Sequence, residues 1–167
     1  MAESSESAKG KLVVIGIDGS DNSLFAIEWY ATHVHKHDDR VIMVYCVELE
    51  ELVTSTEWVN SADDPSEDSV DEFKTILNQE IKKVHAKLDE FKSWLKRLQL
   101  NGVVRSVQAS KPGEGIIRVA REENATMIVT GCRGLGKLRR TLLGSVSDYI
   151  VHHSDIPVLV CRFKDNK

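Results

Sequence analysis

A chain of 167 residues is long enough to bury one core without metals or disulfide staples, and it is read as one domain rather than two. With 41% hydrophobic and 29% charged residues it has the composition of a globular protein, which excludes wholesale disorder, and no stretch approaches the ~18 apolar residues of a membrane-spanning helix. A net charge of −4 excludes a global pull toward nucleic acid, so any anion site must be local.

Residues 1–10 are polar and acidic where a secretory signal needs an apolar run. They predict a flexible tail and residence in the cytoplasm, with the nucleus as the alternative; the folded domain is expected over 11–163 and a second tail over 164–167. Leu12 to Ile17 is a short, continuous apolar run, the signature of a strand buried on both faces. Asp18 to Asn22 breaks it, and Phe25, Ala26, Trp29, Tyr30 and His33 then follow helical spacing, with Ser20, Asp21 or Asn22 as candidate caps. His33 and His37 stand four residues apart, the spacing of a zinc pair on one helix face, but no acidic or thiol third ligand is local. Histidines in a last helical turn also suit its dipole, and no metal site is assigned.

Val41 to Val47 is a second apolar strand, and the acidic residues around Trp58 and Pro65 make 48–68 a surface loop. Val70, Phe73, Leu77, Ile81, Val84, Leu88, Phe91, Leu95 and Leu98 form one apolar stripe on a long helix, with a capping box at Ser69 to Glu72 and a stop at Asn101–Gly102. A coiled coil has similar spacing, but in a strand-rich chain the stripe is better suited to covering a sheet. A strand over Val103 to Ala109, a helix over Pro112 to Asn124, a strand over Met127 to Thr130, a helix over Ser145 to His153 and a strand over Pro157 to Cys161 complete the chain. This alternation predicts a single doubly wound α/β domain, a five-stranded parallel sheet with helices on both faces. The odd count of three cysteines, each in or just after a strand, suits reduced thiols rather than a disulfide framework.

Open parallel sheets bind ligands beyond the carboxyl ends of their strands. Two such loops stand out: Asp18 to Ser20, and the stretch from Gly131 to Ser147. The second has glycines that admit an anion to the backbone, a helix opening at Gly144 to Ser147 with free amides, and local positive charge from Arg133, Lys137, Arg139 and Arg140. It is neither a P-loop, because Leu138 stands where Ser or Thr should bind magnesium, nor a dinucleotide turn, because the third glycine is missing after Gly136. No nucleophile, base and orienting acid can be assembled.

The spacing of Gly131, Gly134, Gly144 and Ser145 resembles the nucleotide motif of the ATP-binding universal stress proteins, and the resemblance extends to the first strand and turn, the second strand and the closing strand. It implies that Asp18 and the backbone near Cys46 contact adenine, that Gly131 lines the ribose, and that Gly134, Gly144, Ser145, Val146 and Ser147 hold the phosphates, with Arg133 facing them. Gly16 and Thr130 complete the implied set. Gly16 and Tyr45 depart from family positions that often carry proline and histidine. The resemblance further implies ATP as ligand, with Mg or Mn on its phosphates, a crevice between the first and fourth strands, and a homodimer through the last strand. Its functional reading is a nucleotide-dependent stress-response switch. The alternatives are a slow ATPase or self-phosphorylating enzyme and a nucleotide-free dimeric scaffold; nucleic-acid and membrane partners are not expected.

Overall fold

The computed structural model describes residues 10–47, 67–132 and 143–162. The elements in order are β1 (Leu12–Ile17), α1 (Asp21–His33), β2 (Arg40–Val47), α2 (Glu67–Arg97), β3 (Gly102–Gln108), α3 (Pro112–Glu122), β4 (Met127–Cys132), α4 (Ser145–His153) and β5 (Val158–Arg162). All strand pairings are parallel, in the order β3-β2-β1-β4-β5. The predicted doubly wound sheet of five strands is therefore the fold.

The unbroken apolar runs of β1 and β2 follow from burial on both faces. Val13, Ile15 and Ile17 join α1 (Ala26, Ile27, Tyr30) and α2 (Phe91, Trp94, Leu95) in one cluster. Val14 points the other way, into a second cluster with Ile116 and Ile117 of α3 and Ile150 of α4. Tyr30 and Phe91 are fully buried in the first cluster, where Phe91 meets Trp94 edge-on at 5.1 Å and Tyr45 at 5.5 Å between ring centroids. Complete burial of one such side chain stabilises the fold by roughly 1.5–3 kcal/mol.

Element ends differ from expectation in several places. The loop expected over 48–68 is shorter at its far end, since α2 already includes Glu67 and Asp68; residues 48–66 lie outside the described residues. Ser69 is thus inside α2 rather than its cap. The helix stops before Asn101–Gly102, because Gln99 takes the left-handed conformation (φ 54°). The Gln99 amide then donates to Lys96 O and the Leu100 amide to Leu95 O, a Schellman closure in which Leu95 and Leu100 are both buried in the first cluster. Asn124 (φ 53°) closes α3 the same way, with Ala125 N donating to Ala120 O, so that α3 ends at Glu122. Gly102 starts β3 instead of ending a helix, and a β-carbon there would stand 2.3 Å from Val41 O. β3 consequently ends at Gln108, one residue early, and β5 runs one residue later than expected. α1 ends at His33, so His37 shares no helix face with it; the His33 ring instead stacks on Trp29 at 4.6 Å. The three cysteines are free thiols in β2, β4 and β5.

Candidate functional site

β1 lies at the centre of the sheet, and the chain leaves it toward β2 and β3 on one side while β4 and β5 occupy the other. This reversal of strand order opens a crevice above β1 and β4. Ile15 is in register with Val129, and beyond this pair Gly16 and Ile17 of β1 and Thr130 of β4 line the crevice floor. β4 continues through Cys132, so Gly131 is the penultimate residue of a strand rather than the first of a loop.

The turn after β1 is built around Asp18. Its Oδ1 accepts from the Ser20 amide at 2.9 Å and the Ser20 hydroxyl at 2.6 Å, and Gly19 supplies the positive φ (84°) the turn needs. Ser20 in turn caps α1 by accepting from Ser23 N at 3.4 Å, while the Ser23 hydroxyl donates to Ser20 O at 2.9 Å. Partial burial opposes ionisation of the Asp18 carboxyl, but hydrogen bonds from Ser20 and Ser23 outweigh it and hold the pKa below the usual carboxylate value. Asp18 is therefore an anchored, acceptor-only group at neutral pH.

A cavity of about 180 Å³ occupies the crevice. Of the predicted residues, Gly16, Asp18, Cys46, Thr130 and Val146 line it, drawn from β1, β2, β4 and α4. Ile17, Ser23, Pro112 and Ile116 also line it and were not expected. The signal for the last two lay in the Pro112 to Gly115 stretch that opens α3. A β-carbon at Gly115 would meet Cys46 Sγ at 2.9 Å, and one at Gly113 would meet the Tyr149 ring at 2.7 Å, so these glycines let α3 close over the crevice. Cys46 Sγ donates to Pro112 O at 3.3 Å across the same gap.

Gly144 is the N-cap of α4, with an extended backbone (φ −64°, ψ 154°) and no side-chain cap, so the first amides of the helix are available to an anion. Ser145 is exposed beside it, whereas Ser147 is buried and its hydroxyl donates to Gly144 O at 3.0 Å. Only the Ser147 amide is left to face a ligand. Gly131 has a different reason for its missing side chain: a β-carbon there would stand 2.3 Å from Asn22 O, so the first turn of α1 sits directly on it. Among the described residues a β-carbon at Gly144 would meet only Ser147 Oγ, at 3.7 Å. Arg133 and Gly134 lie outside the described residues. A separate groove of about 260 Å³ between α3 and α4 includes Arg118 and Arg121, both ion-paired, to Glu122 and Asp155 respectively.

A doubly wound sheet with a small, largely apolar cavity at its switch point, an anchored carboxylate on one side and a helix N-terminus on the other is the arrangement in which open α/β sheets place their ligand sites. The model of the universal stress protein family matches residues 10–162, and the chain belongs to that family. It is 29% identical over 150 residues to the universal stress protein YxiE of Bacillus subtilis, an alignment spanning 90% of this chain and 97% of the relative. Among solved structures it resembles a universal stress protein family protein from Arabidopsis thaliana with AMP bound, at 15% identity and a TM-score of 0.62, covering 93% of this chain and 94% of the other. A universal stress protein in complex with cAMP is similar at 19% identity and a TM-score of 0.61, covering 93% and 98%. At such identities the structural likeness speaks for the fold.

Proposed function

We propose that the crevice binds an adenine nucleotide, ATP by preference, and that binding biases a surface of the protein as a stress-response switch. The observation that carries the reading is Gly144: among the described residues nothing requires a glycine there, since the backbone is extended and a β-carbon would meet Ser147 Oγ at an ordinary 3.7 Å. A side chain is missing where a phosphate would approach the α4 amides. The apolar floor of the cavity suits a base. Asp18, an acceptor only, pairs with a base edge that donates, and on the pairing edge of adenine the exocyclic amine is the donor. The AMP and cAMP carried by the two solved relatives agree in ligand class. A Mg or Mn ion would ride on the phosphate oxygens, and its role there would be to neutralise their charge. The protein is expected to act as a homodimer in the cytoplasm.

Titration calorimetry with ATP, ADP and AMP, on the wild type and on Gly144→Val, with product analysis, tests this. Wild-type binding that the substitution reduces at least tenfold is expected. Absence of binding by the wild type sinks the reading, and binding unchanged in Gly144→Val moves the phosphates elsewhere. Sustained ADP production abolished by the substitution would turn the switch into an enzyme.

A further inference from the structure

The crevice does not end at the base cavity. Asp18 and Cys46 also form one wall of a larger groove of about 670 Å³, whose opposite wall is the part of α2 around Val84. The cavity and the groove therefore meet at the carboxylate that pairs with the base amine. Four of the five charged residues of the groove pair with one another, Lys83 with Glu80 and Lys87 with Glu90 at 3.2 Å; the fifth is Asp18. Lys87 also lies over the Phe91 ring at 6.0 Å. Between these ion pairs the lining also includes Tyr45, Val47, Val84 and Ala86, against which an apolar group gains by leaving water.

An adenine amine has two hydrogens, and Asp18 at the junction takes one. The other lies on the opposite, N7 side of the same nitrogen, so a substituent on this amine starts beside Asp18, where the groove begins. We propose that the site accepts adenine nucleotides bearing a single uncharged apolar substituent on the exocyclic amine, with the substituent seated between Tyr45 and Val84. One remaining N–H keeps the bond to Asp18; a doubly substituted amine has none. This rests on the adenine reading above and names the ligand class of the same site.

Calorimetry on the full chain with AMP, N6-benzyl-AMP and N6,N6-dimethyl-AMP separates the two. N6-benzyl-AMP is expected to bind at least as tightly as AMP, and the dimethyl compound at least tenfold more weakly, the loss of one hydrogen bond to a charged group. Val84→Trp, on the helix surface, is expected to weaken N6-benzyl-AMP tenfold or more and to leave AMP within threefold. If AMP binds but N6-benzyl-AMP is tenfold weaker, the groove is closed to the substituent and this inference fails while the nucleotide site stands. Equal weakening of both ligands by Val84→Trp overturns it as well. If none of the three compounds binds, the adenine reading falls and takes this one with it.

Discussion

A β-carbon at Gly131 would press on the Asn22 carbonyl, whereas one at Gly144 would find ordinary van der Waals distance, although both glycines belong to the same motif. Gly131→Ala is accordingly expected to cost about 1–3 kcal/mol, because the neighbour is backbone and the strand or α1 must shift. Gly144→Ala should cost about 1 kcal/mol or less, the difference between glycine and alanine at an N-cap. Thermal unfolding of the two variants without ligand measures the contrast, and similar losses would refute it. Asp18 gives a pH test. Its folded pKa is depressed, so the stability it contributes is present above the unfolded value of about 4 and is lost as pH falls through the still lower folded value. The denaturation midpoints of wild type and Asp18→Asn should therefore differ at pH 6 and converge toward pH 3; a gap that does not narrow contradicts the turn's charge-assisted bonds. The thiols provide a third check. Burial and the neighbouring Cys132 push the Cys161 thiol up to about 11, while Cys46 is half-buried on the cavity wall. Alkylation at pH 8 should modify Cys46 first, and ATP should slow that reaction several-fold without affecting the other two.

Helix α2 has 31 residues and spans roughly 46 Å, against roughly 26 Å for the 8 residues of β2, so the sheet cannot cover the helix along its whole length. Its C-terminal part packs where the sheet is: Phe91, Trp94 and Leu95 are buried. Toward the other end the same stripe emerges, and Ile81 is 46% exposed. Phe91→Ala should cost about 3–5 kcal/mol by opening a cavity under Tyr45 and Trp94. Ile81→Ala should stay within about 0.5 kcal/mol, as a surface change does. Urea denaturation of both variants is decisive, and a large loss at Ile81 would mean that this part of the helix is covered. The existence of α2 is legible in the sequence because its stripe keeps a helical period from Leu77 to Leu98, and β1 and β2 are legible because two-sided burial makes their runs wholly apolar. The helix end is not. Glycine at 102 resembles a stop, yet the left-handed residue is Gln99, held there by the Leu100 N to Leu95 O bond and the burial of Leu100 in the core rather than by its own preference. The cavity wall from α3 is half hidden for a related reason: Gly113 and Gly115 mark a close approach of α3, but that Pro112 and Ile116 reach the site is decided by packing of α3 on β2.

At the scale of the molecule, the strand order is what brings Asp18 and Thr130, more than a hundred residues apart in sequence, to one crevice, and order is decided by which faces of the strands find helices to bury them. That order also leaves β3 and β5 as edges. The two are unlike: β3 carries the ion-paired Arg105, held by Glu122 and Glu123, which discourages another strand from pairing there. In β5, Val158, Leu159 and Val160 are all half-buried, and the first two pack on the core clusters while Val160 belongs to neither. An apolar edge of this kind is a liability unless a second copy covers it, which is the physical case for the proposed homodimer. Val160→Lys places a charge at that edge without removing a core contact. Sedimentation equilibrium of the wild type should give twice the chain mass of 18.7 kDa, and the variant should give the single mass with its circular dichroism unchanged. A wild type that sediments as a monomer, or a variant that remains dimeric, would remove β5 as the interface. Because the crevice lies between β1 and β4 while β5 flanks β4 on its far side, a Val160→Lys monomer should still bind nucleotide within a few-fold of the wild type.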